Sequence, residues 1–182
     1  MLKVFLCAKE YFVILIYRME TEEATEEPAV QITSDRAKPS VAFISGHIEL
    51  TTATFLQHYQ APLDFAIAAG DHFIISNAKG ADTLALRYLL DNAVSPARIK
   101  IYLHASRRGT QRPNIYQYKA LDVATRIVWG SHTDHDSVMT KESDYDILLV
   151  RSEEGTREFY GSRFRRGRVS GTEKNRLRRQ ES

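Results

Sequence analysis

The chain has 182 residues, 43% of them hydrophobic and 26% charged, with a formal net charge of +2. These are ordinary values for one globular domain, so wholesale disorder and collagen-like repeats are excluded, and a charge this small does not by itself argue for nucleic acid. Cys7 is the single cysteine, which excludes an internal disulfide and points to a reducing, cytoplasmic setting.

The first 38 residues read differently from the rest. Phe12 to Tyr17 is apolar, but Lys9 and Glu10 interrupt the run before it. The stretch is too short for the roughly 18 residues that cross a bilayer, and no small-residue cleavage site follows it, so a signal peptide is not expected. The acidic run Glu20 to Glu27 comes next. Two readings stay open: a flexible N-terminal extension over residues 1–38, or a chain that starts at Met19 with residues 1–18 an artefact of gene prediction. The domain itself is expected over residues 39–182.

From Val41 the pattern alternates between strand and helix. Val41 to Ser45 is a short apolar run of the kind buried on both faces of a sheet. Thr51 or Thr52 caps a helix that runs through Ala69, with Pro62 placed to kink or split it. His72 to Ser76 is a second strand. A helix starts near Gly80 with Ala81, Leu84, Ala85, Tyr88 and Leu89 on one face. Ile99 to Leu103 is a third strand, a polar loop covers Ala105 to Pro113, and a helix is expected over Asn114 to Ala124. Arg126 to Trp129 is a fourth strand with Trp129 in the core. Ser131 to Asp136 reads as a polar turn, Ser137 to Glu142 as a short helix and Asp146 to Val150 as a fifth strand. Such alternation predicts an α/β, Rossmann-like open parallel sheet of about five strands with helices on both faces. The tail from Arg151 is rich in arginine, either as a solvated surface or as an anion site.

Ligands of open α/β sheets bind beyond the carboxyl ends of the strands. That rule selects Ser45-Gly46-His47 after the first strand, Ser76 to Asp82 after the second, His104 to Gly109 after the third and Gly130 to Asp136 after the fourth. Small residues in the first two let a backbone approach a ligand, and helix-start amides at Gly80-Ala81-Asp82 suit phosphate. Asp82 either caps its helix or accepts from a sugar hydroxyl. Neither GxGxxG nor GxxxxGK[ST] occurs, so the dinucleotide fingerprint and the P-loop are absent.

Several short pieces resemble the SLOG superfamily, the Rossmann-like nucleotide-binding proteins that include LOG-type enzymes and DprA-like proteins. Ile44-Ser45-Gly46-His47 is similar to that family's turn after the first strand. Asn77 to Ala85 resembles its Gly-Ala-x-Gly-Ala-Asp-x-x-Ala element. Met139-Thr140-x-x-Ser143-Asp144 looks like the motif before its last core strand. Ser170-Gly171-Thr172-Glu173-Lys174-Asn175 resembles the Gly-Gly-Thr turn that opens a terminal helix in LOG-like proteins. The resemblance spans about residues 41 to 178. It implies a pocket for a nucleotide or nucleotide-derived small molecule, built from Ser45, Gly46, His47, Ser76, Ala78, Gly80, Ala81 and Asp82. Gly171, Thr172, Asn175 and Arg176 would close it. It also implies a homodimer and, in LOG-like enzymes, hydrolysis of the N-glycosidic bond of a nucleoside monophosphate. The family's catalytic glutamate position is Asn175 here, and an amide is neither a general base nor a nucleophile at neutral pH. A sensor or ligand-binding role is therefore the leading expectation.

Other chemistry has weaker carriers. Glu49, Asp82 and His47 are the candidate catalytic groups for glycosyl hydrolysis or transfer, with Glu49 more readily an exposed acid before a helix. His132, Asp134, His135 and Asp136 have zinc-binding side chains, but their spacing fits no closed structural site, so neither a metal nor a cofactor is expected. An RNA or protein partner for the arginine-rich tail is the remaining alternative. Nucleic acid is disfavoured because no aromatic platform accompanies the arginines.

Overall fold

A computed structural model describes residues 38–106, 113–167 and 169–181. The N-terminal stretch over residues 1–37 and most of the loop after the third strand lie outside them.

Among the described residues, five strands and six α-helices follow in chain order. β1 (Val41–Ser45) leads to α1 (Thr52–Ala68), and β2 (His72–Ser76) to α2 (Ala81–Asp91). β3 (Ile99–Ala105) is followed by α3 (Tyr116–Lys119), β4 (Ala124–Trp129) by α4 (His132–Lys141), and β5 (Tyr145–Leu148) by α5 (Glu153–Tyr160) and α6 (Gly171–Gln180). The sheet order is β4-β3-β2-β1-β5, and every pairing is parallel. The predicted α/β architecture is thus the observed one.

Side-chain alternation explains why the sheet is covered twice. Ala42 and Ile44 of β1, with Phe73 and Ile75 of β2, pack against Phe55, Tyr59, Leu63 and Ala66 of α1 and Ala85 and Leu89 of α2. The intervening residues Phe43, Ile74 and Tyr102 face the other way and meet Met139 of α4. Period-two alternation with both faces apolar is what a parallel strand buried under helices requires. The chain moves outward from β1 through β2 and β3 to β4, then returns to place β5 on the other side of β1. The topological switch point therefore lies between β1 and β5.

Four local expectations are corrected. α1 is one continuous helix that Pro62 does not split; Pro62 is exposed, on a side where a carbonyl without its helical partner stays open to solvent. The helix expected over Asn114 to Ala124 is a single turn, because Asp122 takes a left-handed φ of 55° and the Val123 amide closes back on the Tyr118 carbonyl. The polar turn at Ser131 to Asp136 is the start of α4. Ser131 and Asp134 form a reciprocal capping box there, a Ser-x-x-acid signal for a helix start. Trp129, expected in the core, is 49% exposed because β4 is an edge strand.

Candidate functional site

A cavity of about 270 Å³ sits beyond the carboxyl ends of β1 and β2, at the switch point. Its walls come from the β1 and β2 loops, from α4 and α5, and from the first turn of α6. Tyr59 on α1 holds the crevice together from below. Its buried hydroxyl donates to the Ser45 carbonyl at 2.9 Å and accepts from the Leu149 amide at 3.0 Å. That second bond draws the chain out of β5 after Leu148, two residues before the end expected at Val150.

Glycines let the β1 loop and α2 meet. A Cβ on Gly46 would lie 2.3 Å from both the Ala81 Cβ and the Tyr59 hydroxyl. Gly80 has φ +74°, and a Cβ there would lie 2.2 Å from the His47 carbonyl oxygen. This close approach lets the Ala81 amide donate to the His47 carbonyl at 3.1 Å. Asp82 is 4% exposed and accepts from the Ser76 amide at 3.1 Å. The start of α2 thus stitches the β1 and β2 loops together, and the Ala81 amide expected to hold phosphate already has an internal partner. The Ser76 hydroxyl accepts from Ala78 at 3.3 Å and steadies the β2 loop.

The start of α6 is different. Ser170 caps the helix, its hydroxyl accepting from the Glu173 amide at 3.1 Å. Gly171, Thr172 and Asn175 then line the cavity, where helix-start amides and the positive end of the dipole favour an anion. Asn175 is 3% exposed and its Oδ1 accepts from Arg178 at 2.8 Å. Arg176, expected at the ligand, instead makes a two-point bond with Glu173 at 2.7 and 2.9 Å on the helix surface. The arginine on the cavity wall is Arg151, stacked 4.0 Å over the Phe159 ring. Its sequence signal was its place just after the last strand. Its closeness to β1 follows only from the strand order.

Three buried polar atoms on the cavity wall lack a hydrogen-bond partner among the described residues: Ser45 Oγ, His47 Nε2 and His135 Nε2. Such atoms are uncommon in folded proteins and call for an explanation. Burial lowers the His47 pKa to about 4, the Arg151 charge acting in the same direction and a hydrogen bond with the Leu149 backbone opposing, so the ring is neutral at pH 7. Burial raises the Asp82 carboxyl to about 8, hydrogen bonds from the Ser76 and Asp82 amides opposing and the Asp136 charge adding to the rise. Asp82 is therefore mostly a neutral acid at pH 7.

His132 and His135, expected in a solvated loop, lie on α4 and line the cavity. His132 stacks on His104 with ring centres 4.0 Å apart, and burial and that neighbour lower its pKa. Among the described residues no cluster of three or more His, Cys, Asp or Glu is arranged to hold a metal ion. Glu49 is exposed and does not line the cavity.

No protein-family model, curated protein or solved structure matches this chain. Among the described residues no helix is long and apolar enough to cross a membrane.

Proposed function

We propose that this chain binds a small phosphorylated ligand of mononucleotide size at the β1/β5 switch point, in the manner of the SLOG proteins its motifs resemble. The observation that carries the reading is the convergence, around one cavity, of the α6 N-terminus, Arg151 and three buried polar atoms without partners. A phosphate suits the helix start and the arginine. Sugar hydroxyls and base edges suit Ser45, His47 and His135, since each offers or takes single hydrogen bonds. The volume of about 270 Å³ lies at the lower edge of the roughly 300–1,000 Å³ typical of small-molecule sites. A mononucleotide fits that scale better than a dinucleotide.

Thermal unfolding against AMP, CMP, cyclic nucleotides, ADP-ribose and NAD tests this, with chromatography of each mixture afterwards. A ligand at a hundred times its Kd adds about 2.7 kcal/mol, a rise of roughly 5–10 °C for a domain of this size. A mononucleotide is expected to raise Tm and NAD to leave it unchanged. A flat response to every ligand defeats the reading.

A second reading has one observation in its favour. Asp82, held protonated by burial, and Asp136 line the same cavity and interact, and a neutral acid beside a carboxylate is the pairing that N-glycosidic hydrolysis uses. Release of free base from the mononucleotide, lost in Asp82→Asn, would establish it; an intact nucleotide after incubation would remove it. An RNA-binding tail is less well supported, because Arg176 and Arg179 are engaged within the fold.

A further inference from the structure

Asn175 is the α6 residue furthest along the helix that lines the cavity, and its bonding fixes which way its amide points. Oδ1 accepts from the Arg178 guanidinium at 2.8 Å, and a guanidinium only donates, so the atom bonded to it is the oxygen and not the nitrogen. No hydrogen bond joins Nδ2 to a described residue, and Nδ2 is not among the fully buried atoms without a partner, so on this cavity-lining side chain it stays accessible. An amide whose oxygen is held by a guanidinium and whose nitrogen stays accessible has two donors to offer an acceptor from outside the chain. The α6 start and Arg151 beside it also present donors.

We infer that Arg178 is a positioning residue that locks Asn175 with its N–H groups toward the cavity, making this end of the site a cradle of donors selective for an acceptor-only anionic group such as phosphate. This deepens the mononucleotide reading and rests on it for the identity of the ligand. The cradle itself depends only on the anion. A ligand group carrying its own donors would meet donors here and be rejected, since a buried unpaired donor is expensive. Freed from Arg178, the amide can turn and offer oxygen, and the selectivity goes with it.

The test is a double-mutant cycle on the full chain, read by calorimetric titration with inorganic phosphate and separately with AMP. Asn175→Ala is expected to weaken phosphate binding about tenfold or more, the usual worth of a hydrogen bond to a charged group. Asn175→Asp, which sets a carboxylate against the anion, should weaken it further. Arg178→Ala should weaken binding several-fold in the wild-type background and much less in the Asn175→Ala background, because its effect runs through that amide. Unfolding curves establish that each variant folds, and Asn175→Ser serves the same cycle if Asn175→Ala does not. Equal losses from Arg178→Ala in both backgrounds mean that the arginine acts by charge alone and overturn the inference. So does phosphate binding unaffected by Asn175→Asp. Phosphate binding without AMP binding upholds the cradle while the nucleotide reading falls. Failure of both probes on the wild-type chain overturns both.

Discussion

Two helices begin at the same cavity, and they use their first turns in opposite ways. α2 turns inward: Gly80 passes against the β1 loop, Ala81 donates to the His47 carbonyl, and the Asp82 carboxyl is buried on the Ser76 amide. α6 keeps its start open: Ser170 caps it on one side, while Gly171, Thr172 and Asn175 border the cavity. Both starts look alike in sequence, a small residue leading into a helix with an acid in the first turn. The difference lies in what stands opposite. α2 faces another loop of its own chain at close range, so its polar groups are satisfied internally. α6 faces empty volume. A helix start becomes a ligand site only where the fold leaves its donors without a partner.

The strongest way to break this contrast is Gly80→Val. A β-branched side chain at φ +74° against the His47 and Ile48 backbone combines strain with overlap, and a loss of about 4 kcal/mol or more is expected, read as a fall in denaturant midpoint. Wild-type stability in that variant would remove the keystone role of α2.

Arg179→Ala tests the other helix. Arg179 donates to the Thr140 and Ser143 carbonyls and to Asp146, at 2.8, 2.7 and 2.8 Å, tying α6 to α4 and β5. The Asp146 side chain is only 8% exposed, so removing its partner should cost about 3–5 kcal/mol. Ligand-induced stabilisation should shrink as α6 loosens. An unchanged ligand response would mean that α6 does not build the site.

Asp82→Asn sharpens the α2 side through pH. The folded-state pKa of Asp82, about 8, lies above its ordinary value of 3.8, so the folded chain holds that proton more tightly than the unfolded chain does. The stability linked to it is fully present below about pH 3.8 and is lost as pH rises to about 8, with a slope of up to about 1.4 kcal/mol per pH unit. The difference between variant and wild type should therefore move in the variant's favour across that window and level off above it. A pH-independent difference would show that Asp82 titrates normally. His47, lowered to about 4, acts in the opposite sense in both proteins and cancels in the difference.

Gly171→Ala is the smallest effect and the most direct contrast with Gly80. A Cβ there meets nothing within 4 Å, and alanine restricts the unfolded chain, so stability should stay level or rise by about 0.4–1 kcal/mol. Equilibrium unfolding reads it. A loss of more than about 1 kcal/mol would mean that the start of α6 is as tightly enclosed as that of α2.

The candidate site was legible in sequence where it follows the chain and illegible where it crosses it. Ser45, Gly46 and His47, and Ser76 and Ala78 stand at strand ends, where local pattern locates them, and Gly171 and Thr172 stand at a helix start that the family resemblance pointed to. His132 and His135 follow the fourth strand and Arg151 the fifth, but which of these strand-end residues share one cavity is not readable from the chain. They reach the cavity because β5 returns beside β1 and because α4 covers the second face of the sheet. The resemblance implied that Arg176 closes the pocket, yet Glu173 lies three residues before it on the same helix surface and binds its Nε and Nη2.

Alternation of apolar runs with helical periodicity determined the layers, and Gly80 together with the caps at Thr51 and Ser170 determined where elements begin, because these depend on neighbours a few residues away. Which polar groups are satisfied and which are left open was decided only when distant segments met. The Ala81 amide is closed by the β1 loop, the Leu149 amide by Tyr59 on α1, and the Asn175 oxygen by Arg178, whereas His47 Nε2 and Ser45 Oγ meet no partner. A hydrogen bond forms within about 3 Å, and only the assembled fold brings residues remote in sequence to that range.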